Sequence, residues 1–404
     1  MRDVRVLLIH AVVSGLVQQY VELGLRLGRH NPDIVDAYYG PGQWRDAIAA
    51  EPVHPAGALV ADARRLLADI DASVEPDIAS RRRRWIRAQL EGVCTVARVL
   101  DGEDIAYLDE VEACFGVRPE LVTEDEIAAA HRELDTALGG TGPLADRMAA
   151  MRDRHVIPID RLPAVTGNLL DELRSLTSAA FGLPEGEHVD FELVSDKPWS
   201  GFNHYLGGLH SRVAINTDVP VLSSSIAHLV AHEAYPGHHT EHVHKEVGLV
   251  RGRHQMEEAI FLIGTPSCLM AEGLADLGLE ALLGSEPHEA VGTMVRAAGA
   301  HFELESVRAL SHFGDVSGRA RGLLAVQLHD EGVDADTVIA NAERWLLLDH
   351  HRAIQVVRFL NDPTWRAYVF CYAEGYRRCR DFVAGEPERF ARLLDEQLLP
   401  ADLS

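Results

Sequence analysis

The stretch HEAYPGHHTEH combines residue types that bind and use a divalent metal. His232 is followed directly by Glu233, as in the helical H-E-x-x-H zinc site, where a second histidine four residues later lies on the same helix face. Here the fourth position is Pro236, and the next histidines are His238 and His239. The spacing therefore predicts either a stretched zinc motif or a chance cluster among the 21 histidines of the chain.

A bend in the helix would restore the usual ligand geometry. On a straight α-helix, with about 100° per residue, a histidine six positions after His232 lies off the metal-binding face. Pro236 removes a backbone hydrogen bond and Gly237 loosens the chain, so a straight helix is not expected here. We therefore interpret the motif as H-E-x-x-(P-G)-H, in which two extra residues return His238 to the position of the second ligand. His239 is the alternative second ligand.

A second helix, predicted over TPSCLMAEGLADLGLEALLG, supplies two carboxylates. Glu272 and Asp276 are four residues apart, so they share one face of that helix. We expect Glu272 to be the third metal ligand. Asp276 is expected to accept a hydrogen bond from the other ring nitrogen of His232, because carboxylates commonly orient metal-binding histidines in this way.

These residues predict a hydrolytic reaction. His232, His238 and Glu272 would bind one Zn²⁺ and leave the fourth position for water. Zinc would lower the pKa of that water toward ~7 and polarise a carbonyl group. Glu233 would then act as the general base on the water.

Four further residues are candidates for a place around the reaction. Tyr372 is predicted to stabilise the oxyanion, with Tyr376, one helical turn later, as the alternative. Asn216, at the end of a predicted strand, is expected to hold a substrate carbonyl. If His238 is the ligand, His239 is expected to lie just behind the metal ligands, facing the cleft or capping the bent backbone.

The motifs resemble a bacterial family known as domain of unknown function 885. The runs H-E-A-Y-P-G-H-H and A-E-G-L-A-D-L-G resemble its H-E-x-x-P-G-H-H and E-G-W-A-x-Y motifs. AYVFCYAEGYRRCR, with Tyr372 and Gly375, resembles its Y-x-x-G segment, and INTDVP resembles its asparagine-bearing strand end. The chain differs from the family at Leu274, where tryptophan is usual, and at Gly278, where a larger residue is frequent.

The resemblance implies a helical fold related to zinc-dependent oligopeptidases and carboxypeptidases, the gluzincin type, with a deep cleft. It also implies a metallopeptidase-like hydrolase acting on a peptide or small amide. A zinc amidase or deacylase acting on non-peptide amides would use the same groups. A structural zinc site or a degenerate binding protein is a further alternative, but Glu233 has no purpose in either.

The rest of the sequence predicts a mainly α fold with one small β-sheet beside the metal-binding helix. Apolar residues recur at helical spacing over several segments, and Thr123 with Glu126 forms a capping box. The predicted helices cover 4–29, 57–73, 79–101 and 163–181. Residues 36–44 read as a turn-rich loop, and alternating patterns predict strands at 189–194, 202–207 and 211–216.

The sequence predicts an N-terminal helical region, residues 1–185, and a metal-binding catalytic region, residues 186–404. We expect the two regions to form one continuous unit around a cleft. The first residues, 1–20, resemble a weak signal peptide, but polar residues interrupt the apolar run, and an amphipathic helix is favoured.

Charge and cysteine content narrow the class of partner and the compartment. The chain of 404 residues has 38 basic and 62 acidic residues, a net charge of −24, which disfavours nucleic acid and anionic membranes as partners. The RRRR run at 81–84 is interpreted as a solvated helix face. Five cysteines, an odd number without close pairs, favour reduced thiols and a cytoplasmic location. The oligomeric state is left open.

Overall fold

The structure is a computed structural model that describes residues 15–72 and 79–403. The start of the predicted first helix, with the signal-like residues 1–14, lies outside the described residues.

Helices dominate the described chain, so the prediction of a mainly α fold is confirmed. The first set is α1 (Gly15–Leu27), α2 (Gly42–Ala50), α3 (Ala56–Ala72), α4 (Ser80–Leu100), α5 (Tyr107–Phe115), α6 (Glu124–Leu138), α7 (Leu144–Arg154) and α8 (Leu162–Phe181). The second set is α9 (Ile226–Glu233), α10 (His238–Lys245), α11 (Pro266–Leu283), α12 (His288–Ala297), α13 (Leu304–His329), α14 (Ala335–Leu346), α15 (His350–Asn361), α16 (Val369–Val383) and α17 (Pro387–Asp395). The predicted capping box at the start of α6 is present, with Thr123 and Glu126 bonded reciprocally.

The strands form two small sheets. They are β1 (Val35–Tyr38), β2 (His188–Val194), β3 (Gly201–Gly207), β4 (His210–Asn216) and β5 (Ile260–Leu262). In the three-stranded sheet, β4 is central, parallel to β2 and antiparallel to β3. These three strands lie where the sequence predicts them.

The second sheet is an antiparallel ribbon of β1 and β5 that the sequence analysis missed. The prediction of a loop over 36–44 was wrong: β1 covers its start, and α2 begins at Gly42. A four-residue strand gives little alternation to detect, and its partner β5 lies more than 200 residues later in the chain.

The helix α9, which carries His232, is held by an apolar cluster of its own. Its own Ile226 and Val230 pack with side chains of α8, β4 and α11, including Leu169, Ile215 and Leu279. Burial of such side chains stabilises the fold by roughly 1.5–3 kcal/mol each. The position of His232 is therefore fixed by packing on several sides.

Two glycines let the helices α11 and α16 touch through their backbones. A Cβ atom added at Gly273 would lie 2.3 Å from the carbonyl oxygen of Gly375, and one added at Gly375 would lie 2.3 Å from the carbonyl oxygen of Leu269. Any larger residue would separate the helices. The close crossing brings the tyrosines at the start of α16 next to the carboxylates of α11.

The basic run at 81–84 is more than a solvated face. Arg82 forms two hydrogen bonds, of 2.5 and 2.7 Å, with the fully buried carboxylate of Glu257. Arg81 pairs with Glu396, and Arg84 with Asp402, both near the C-terminus. The solvated-face interpretation was therefore wrong for Arg82, because an acidic partner far along the chain lies against this helix.

All five cysteines are buried and unpaired, as expected for reduced thiols. Within the described residues, no helix has the length and apolar character needed to cross a membrane.

Candidate metal centre

The helix carrying His232 is interrupted at the Pro-Gly pair. Four residues separate the end of α9 from the start of α10, and two backbone hydrogen bonds span the break. The N–H of Gly237 donates to the carbonyl of Ala231 at 2.9 Å, and the N–H of Thr240 donates to that of Ala234 at 3.3 Å. Each bond spans six residues, whereas an α-helical bond spans four. The break therefore adds the two residues that the stretched motif requires.

Residue 237 must be glycine for this turn to close. A Cβ atom there would lie 1.9 Å from the carbonyl oxygen of His232. The neighbouring Pro236 packs against Gly278, where a Cβ atom would lie 3.0 Å from the proline ring. Leu274, the other departure from the family pattern, is 1% exposed and belongs to the apolar core.

Three side chains from three different helices converge at the break. The Nε2 atoms of His232 and His238 lie 3.1 Å apart. One carboxylate oxygen of Glu272 lies 3.2 Å from Nε2 of His232, and the other lies 3.5 Å from Nε2 of His238. Two imidazoles and one carboxylate are the ligand set of many catalytic zinc sites. The structure thus brings together the three predicted metal ligands.

Asp276 fixes the orientation of His232. Its Oδ1 atom lies 2.8 Å from Nδ1 of His232 and 3.3 Å from Nε2 of His228. Burial acts to raise the pKa of Asp276, but the hydrogen bonds from His228 and His232 hold it well below its ordinary value. Since Nδ1 of His232 donates to an ionised carboxylate, the lone pair of neutral His232 lies on Nε2, facing His238 and Glu272.

The donor atoms fit a bound cation. Oε2 of Glu272 is buried and has no hydrogen-bond partner among residues 15–72 and 79–403. A lone pair of His232 directed at this carboxylate would be unfavourable without a positive charge between them. Burial opposes ionisation of Glu272, yet the neighbouring His232 and His238 lower its pKa to about 2. The site is built around a carboxylate and needs a cation, either a proton or a metal.

Tyr368 is a contact of the ligand set that sequence reasoning missed. Its hydroxyl donates to Oε1 of Glu272 at 2.6 Å. The available signal was its spacing, since it lies one helical turn before Tyr372 in the segment already singled out. Tyr368 and Tyr372 pack edge to face, with ring centroids 5.8 Å apart.

Glu233 lies beside the ligands without joining them. It is 6% exposed, and a Cβ atom added at Gly201 of β3 would lie 2.9 Å from its Oε1 atom. No hydrogen bond engages its carboxylate within the described chain. Burial raises the pKa of Glu233; His232 and His238 oppose this shift, and Glu272 adds to it.

A cavity of about 60 Å³ opens in front of these groups. Tyr372 lines it, with its ring centroid 6.4 Å from that of His232. Its alternative, Tyr376, donates instead to Glu280 and does not reach the cavity. The other lining residues are Asp36, Trp199, Gly201, Phe202, Asn203, His232, Glu233, His238, His242, Phe261, Ile263, Glu272, Phe359, Trp365 and Tyr368.

His239 is not part of the metal cluster. Its Nδ1 lies 2.8 Å from the hydroxyl of Ser211, and its Nε2 lies 2.9 Å from the carboxylate of Glu187. Glu187 also accepts hydrogen bonds from Tyr235 at 2.6 Å and Arg174 at 2.7 Å. The prediction that His239 lies behind the metal ligands was wrong, because consecutive helical residues diverge by about 100°.

Asn216 supports the cavity from outside. Its Nδ2 donates to the carbonyl oxygens of Lys197 at 3.0 Å and Trp199 at 2.8 Å, and its Oδ1 accepts from the N–H of Asp218. The predicted contact with a substrate carbonyl is therefore wrong, since the amide is engaged by the chain itself. Asn216 shapes the loop that places Trp199 in the cavity wall.

Comparisons with known proteins show similarity of fold alone. No family model matches the chain, and no curated protein matches it. A solved structure described as a "putative lipoprotein" from Colwellia psychrerythraea matches with a TM-score of 0.54 and 14% identity. The match covers 87% of this chain and 66% of that one, so this chain spans less than two thirds of its length. A second solved structure, described as a "putative lipoprotein of unknown function" from Shewanella oneidensis, has a TM-score of 0.45 and 13% identity. That match covers 89% of this chain and 75% of that one.

Proposed function

We propose that this protein is a zinc-dependent hydrolase that cleaves peptide bonds of short peptides. The observation that carries the proposal is the convergence of His232, His238 and Glu272 around an unsatisfied carboxylate oxygen, with Glu233 beside them in a cavity. A site that only stabilised the fold would have four protein ligands and no free acid facing a cavity. The resemblance to domain of unknown function 885 supports the same proposal.

Each side chain of the site has its own role in the proposed reaction. His232, His238 and Glu272 would hold the zinc, and Asp276 keeps His232 in the tautomer that presents Nε2. When bound, zinc would lower the pKa of a water molecule and polarise the scissile carbonyl group. Glu233 accepts the proton of the attacking water and passes it to the leaving amine. Its burial, which raises its pKa, suits a group that must both take and give a proton.

Tyr372 would donate its hydroxyl hydrogen to the oxygen of the scissile carbonyl as negative charge develops there. Burial and the neighbouring carboxylate of Glu272 raise the pKa of Tyr372 well above its ordinary value, so the hydroxyl stays protonated. A protonated hydroxyl in a poorly solvated cavity stabilises an oxyanion more than it would in water.

The lining of the cavity favours peptides with apolar side chains. The aromatic rings of Trp199, Phe202 and Trp365 form an apolar wall against which such side chains would pack. A cytoplasmic location is proposed with it, on the strength of the five reduced cysteines.

The test combines metal content with turnover. Purified protein loaded with one equivalent of zinc is screened against short peptides, beside Glu233→Gln and the surface control Glu388→Gln. We expect Glu233→Gln to keep its zinc and to lose about a hundredfold to ten-thousandfold in turnover, as for loss of a general base. Glu388, which is exposed, should change neither quantity.

Normal turnover by Glu233→Gln would contradict the assignment of the general base. Hydrolysis of non-peptide acyl amides without hydrolysis of any peptide would assign the site to an amidase with the same groups.

A further inference from the structure

The cavity has a third acidic group, which the proposed reaction does not use. Asp36 lies in β1, far from the metal-binding motif in sequence, yet it lines the same cavity as His232 and Glu233. In the ribbon, Val35 pairs with Leu262 and Ala37 pairs with Phe261, so the register shifts at Asp36. Such a bulge turns a side chain away from its regular direction, and bulges of this kind are frequent beside active sites.

Within residues 15–72 and 79–403, no hydrogen bond or ion pair engages the Asp36 carboxylate. Burial raises the pKa of Asp36 to about 7; His238 opposes the rise, and Glu272 and Glu233 add to it. Asp36 is half-buried, and a carboxylate there without a donor or a counter-charge is costly to keep ionised, which indicates that a ligand supplies the missing positive charge.

A second oxygen in the cavity also lacks a donor. Asn203 of β3 is 5% exposed, and its Nδ2 donates to the carbonyl oxygen of Glu233 at 2.6 Å. That bond fixes the amide, and its Oδ1 is then left buried with no hydrogen-bond partner among the described residues. The wall of the cavity therefore contains a carboxylate and a buried amide oxygen, both of them acceptors.

The charge of the cavity selects the kind of ligand. Asp36, Glu233 and Glu272 contribute three carboxylates, and among the described lining residues there is no lysine or arginine. When all three are ionised, one zinc ion would leave one negative charge unbalanced. An ammonium group, with three donors and one positive charge, would satisfy both acceptors and balance that charge.

A free carboxylate on the ligand would find poorer partners. The arginine whose charge acts on this neighbourhood is Arg321 of α13, which interacts electrostatically with Tyr372 and Asp276. Arg321 is exposed and does not line the cavity. The arrangement favours recognition of the amino end of a peptide over its carboxyl end.

We propose that Asp36 and Asn203 form a subsite for the free α-ammonium group of the substrate, so that the protein acts on peptides with unblocked N-termini. Asp36 is the specificity-determining residue of this subsite, and Asn203 supplies the second acceptor. The inference deepens the proposed hydrolase function, and it rests on that function in treating the ligand as a substrate. The binding of an ammonium group is nevertheless measured without hydrolysis.

The test is a binding comparison by calorimetry on zinc-loaded full-length protein. The probes are phenylalaninol and its neutral analogue, in which a hydroxyl replaces the amino group. The wild type should bind phenylalaninol about tenfold to a hundredfold more tightly, the range expected for hydrogen bonds to a charged group. Asp36→Asn, which keeps the shape of the side chain, should bind the two probes about equally.

Asp33→Asn is the matched control, because Asp33 is an exposed acid three residues away in the same segment. It removes the same charge and should keep the wild-type preference. Melting temperature and zinc content are measured on both variants, so that a misfolded protein is recognised. Asn203→Ala, which removes the second acceptor, should lower the preference by a smaller factor.

Equal affinity for the two probes in the wild type would overturn the inference. So would a preference for phenylalaninol that survives in Asp36→Asn, or a carboxylate probe, phenylpropionate, that binds more tightly than the amine. The same titrations on metal-free protein separate the two proposals: an Asp36-dependent preference for the amine without any zinc binding or hydrolysis would contradict the proposed function and keep the ammonium subsite.

Discussion

Two clusters of histidine and carboxylate lie next to each other at the helix break, and they differ in how completely the protein satisfies them. In the Glu187 cluster, both ring nitrogens of His239 have partners, and the carboxylate accepts from Tyr235, Arg174 and His239. In the metal cluster, an oxygen of Glu272 is buried without a hydrogen bond.

The comparison teaches that burial does not identify the functional cluster. His239 is fully buried, whereas His232 is 8% exposed, and the more deeply buried group is the structural one. What distinguishes the metal cluster is a set of lone pairs that converge without donors and face a cavity. Unsatisfied atoms that converge beside a cavity indicate a ligand.

The sharpest test of the comparison is to remove one histidine from each cluster. We expect His238→Ala to lower zinc affinity by more than about a hundredfold, a larger loss than removing an outer partner of a ligand causes. His239→Ala should keep zinc affinity and lower the melting temperature, because it removes one of the donors of the buried Glu187. Titration of zinc with a competing chelator and thermal unfolding measure the two effects. Zinc loss in His239→Ala alone would reverse the two assignments.

Asp276→Asn tests whether the carboxylate behind His232 tunes the site. The amide cannot hold the imidazole as an ionised partner, so zinc affinity should fall by about tenfold to a hundredfold. The control is Asp381→Asn, an exposed acid on α16, which should leave the affinity unchanged. An unchanged affinity in Asp276→Asn would show that its 2.8 Å contact with His232 does not tune the site.

Glu187→Gln should reveal a structural role with a defined pH dependence. Burial opposes ionisation, but hydrogen bonds from His239, Tyr235 and Arg174 lower the pKa of Glu187 to about 2. Since this lies below the unfolded value of ~4.3, ionised Glu187 stabilises the fold above the unfolded pKa, and that stability is lost as the pH falls toward the folded pKa.

At neutral pH the substitution should lower the free energy of unfolding by about 2 kcal/mol. The difference between wild type and variant should shrink as the pH falls from about 5 toward about 2. Urea unfolding across this range measures it, with the exposed neighbour variant Glu185→Gln as control. A difference that stays constant with pH would refute the role of the ionised form.

The smallest effect is expected from Tyr368→Phe, which removes the hydroxyl donated to Glu272. Loss of one hydrogen bond to a charged ligand should weaken zinc binding by about tenfold. Tyr376→Phe removes a comparable hydroxyl bonded to Glu280, outside the cavity, and should leave zinc binding unaffected. A larger loss in Tyr376→Phe would contradict the placement of the site.

Local spacing was sufficient to predict that His232, His238 and Glu272 converge. The step from Pro236 to His238 predicts two extra residues, and the spacing of Glu272 and Asp276 predicts a shared helix face; both follow from helix geometry. The predicted strands likewise follow from alternation within short segments.

Residues that reach the site through distant pairing could not be predicted. Asp36 lies beside the site because β1 pairs with β5, and Glu187 contacts His239 although the two lie 52 residues apart in the chain. Asn216 was misjudged for the same reason, since its partners at Lys197 and Trp199 depend on how a loop folds back. Helical periodicity carries no information on these contacts.

The central claim is that His232, His238 and Glu272 hold one zinc ion with a position left for water. X-ray absorption at the zinc edge of the wild-type protein, loaded with one equivalent of zinc, tests it most directly. We predict two imidazole nitrogens and two oxygens in a four-coordinate shell, with Zn–N distances of ~2.0–2.1 Å. A shell containing sulfur, a shell without imidazole, or no zinc retained by the protein would contradict the claim.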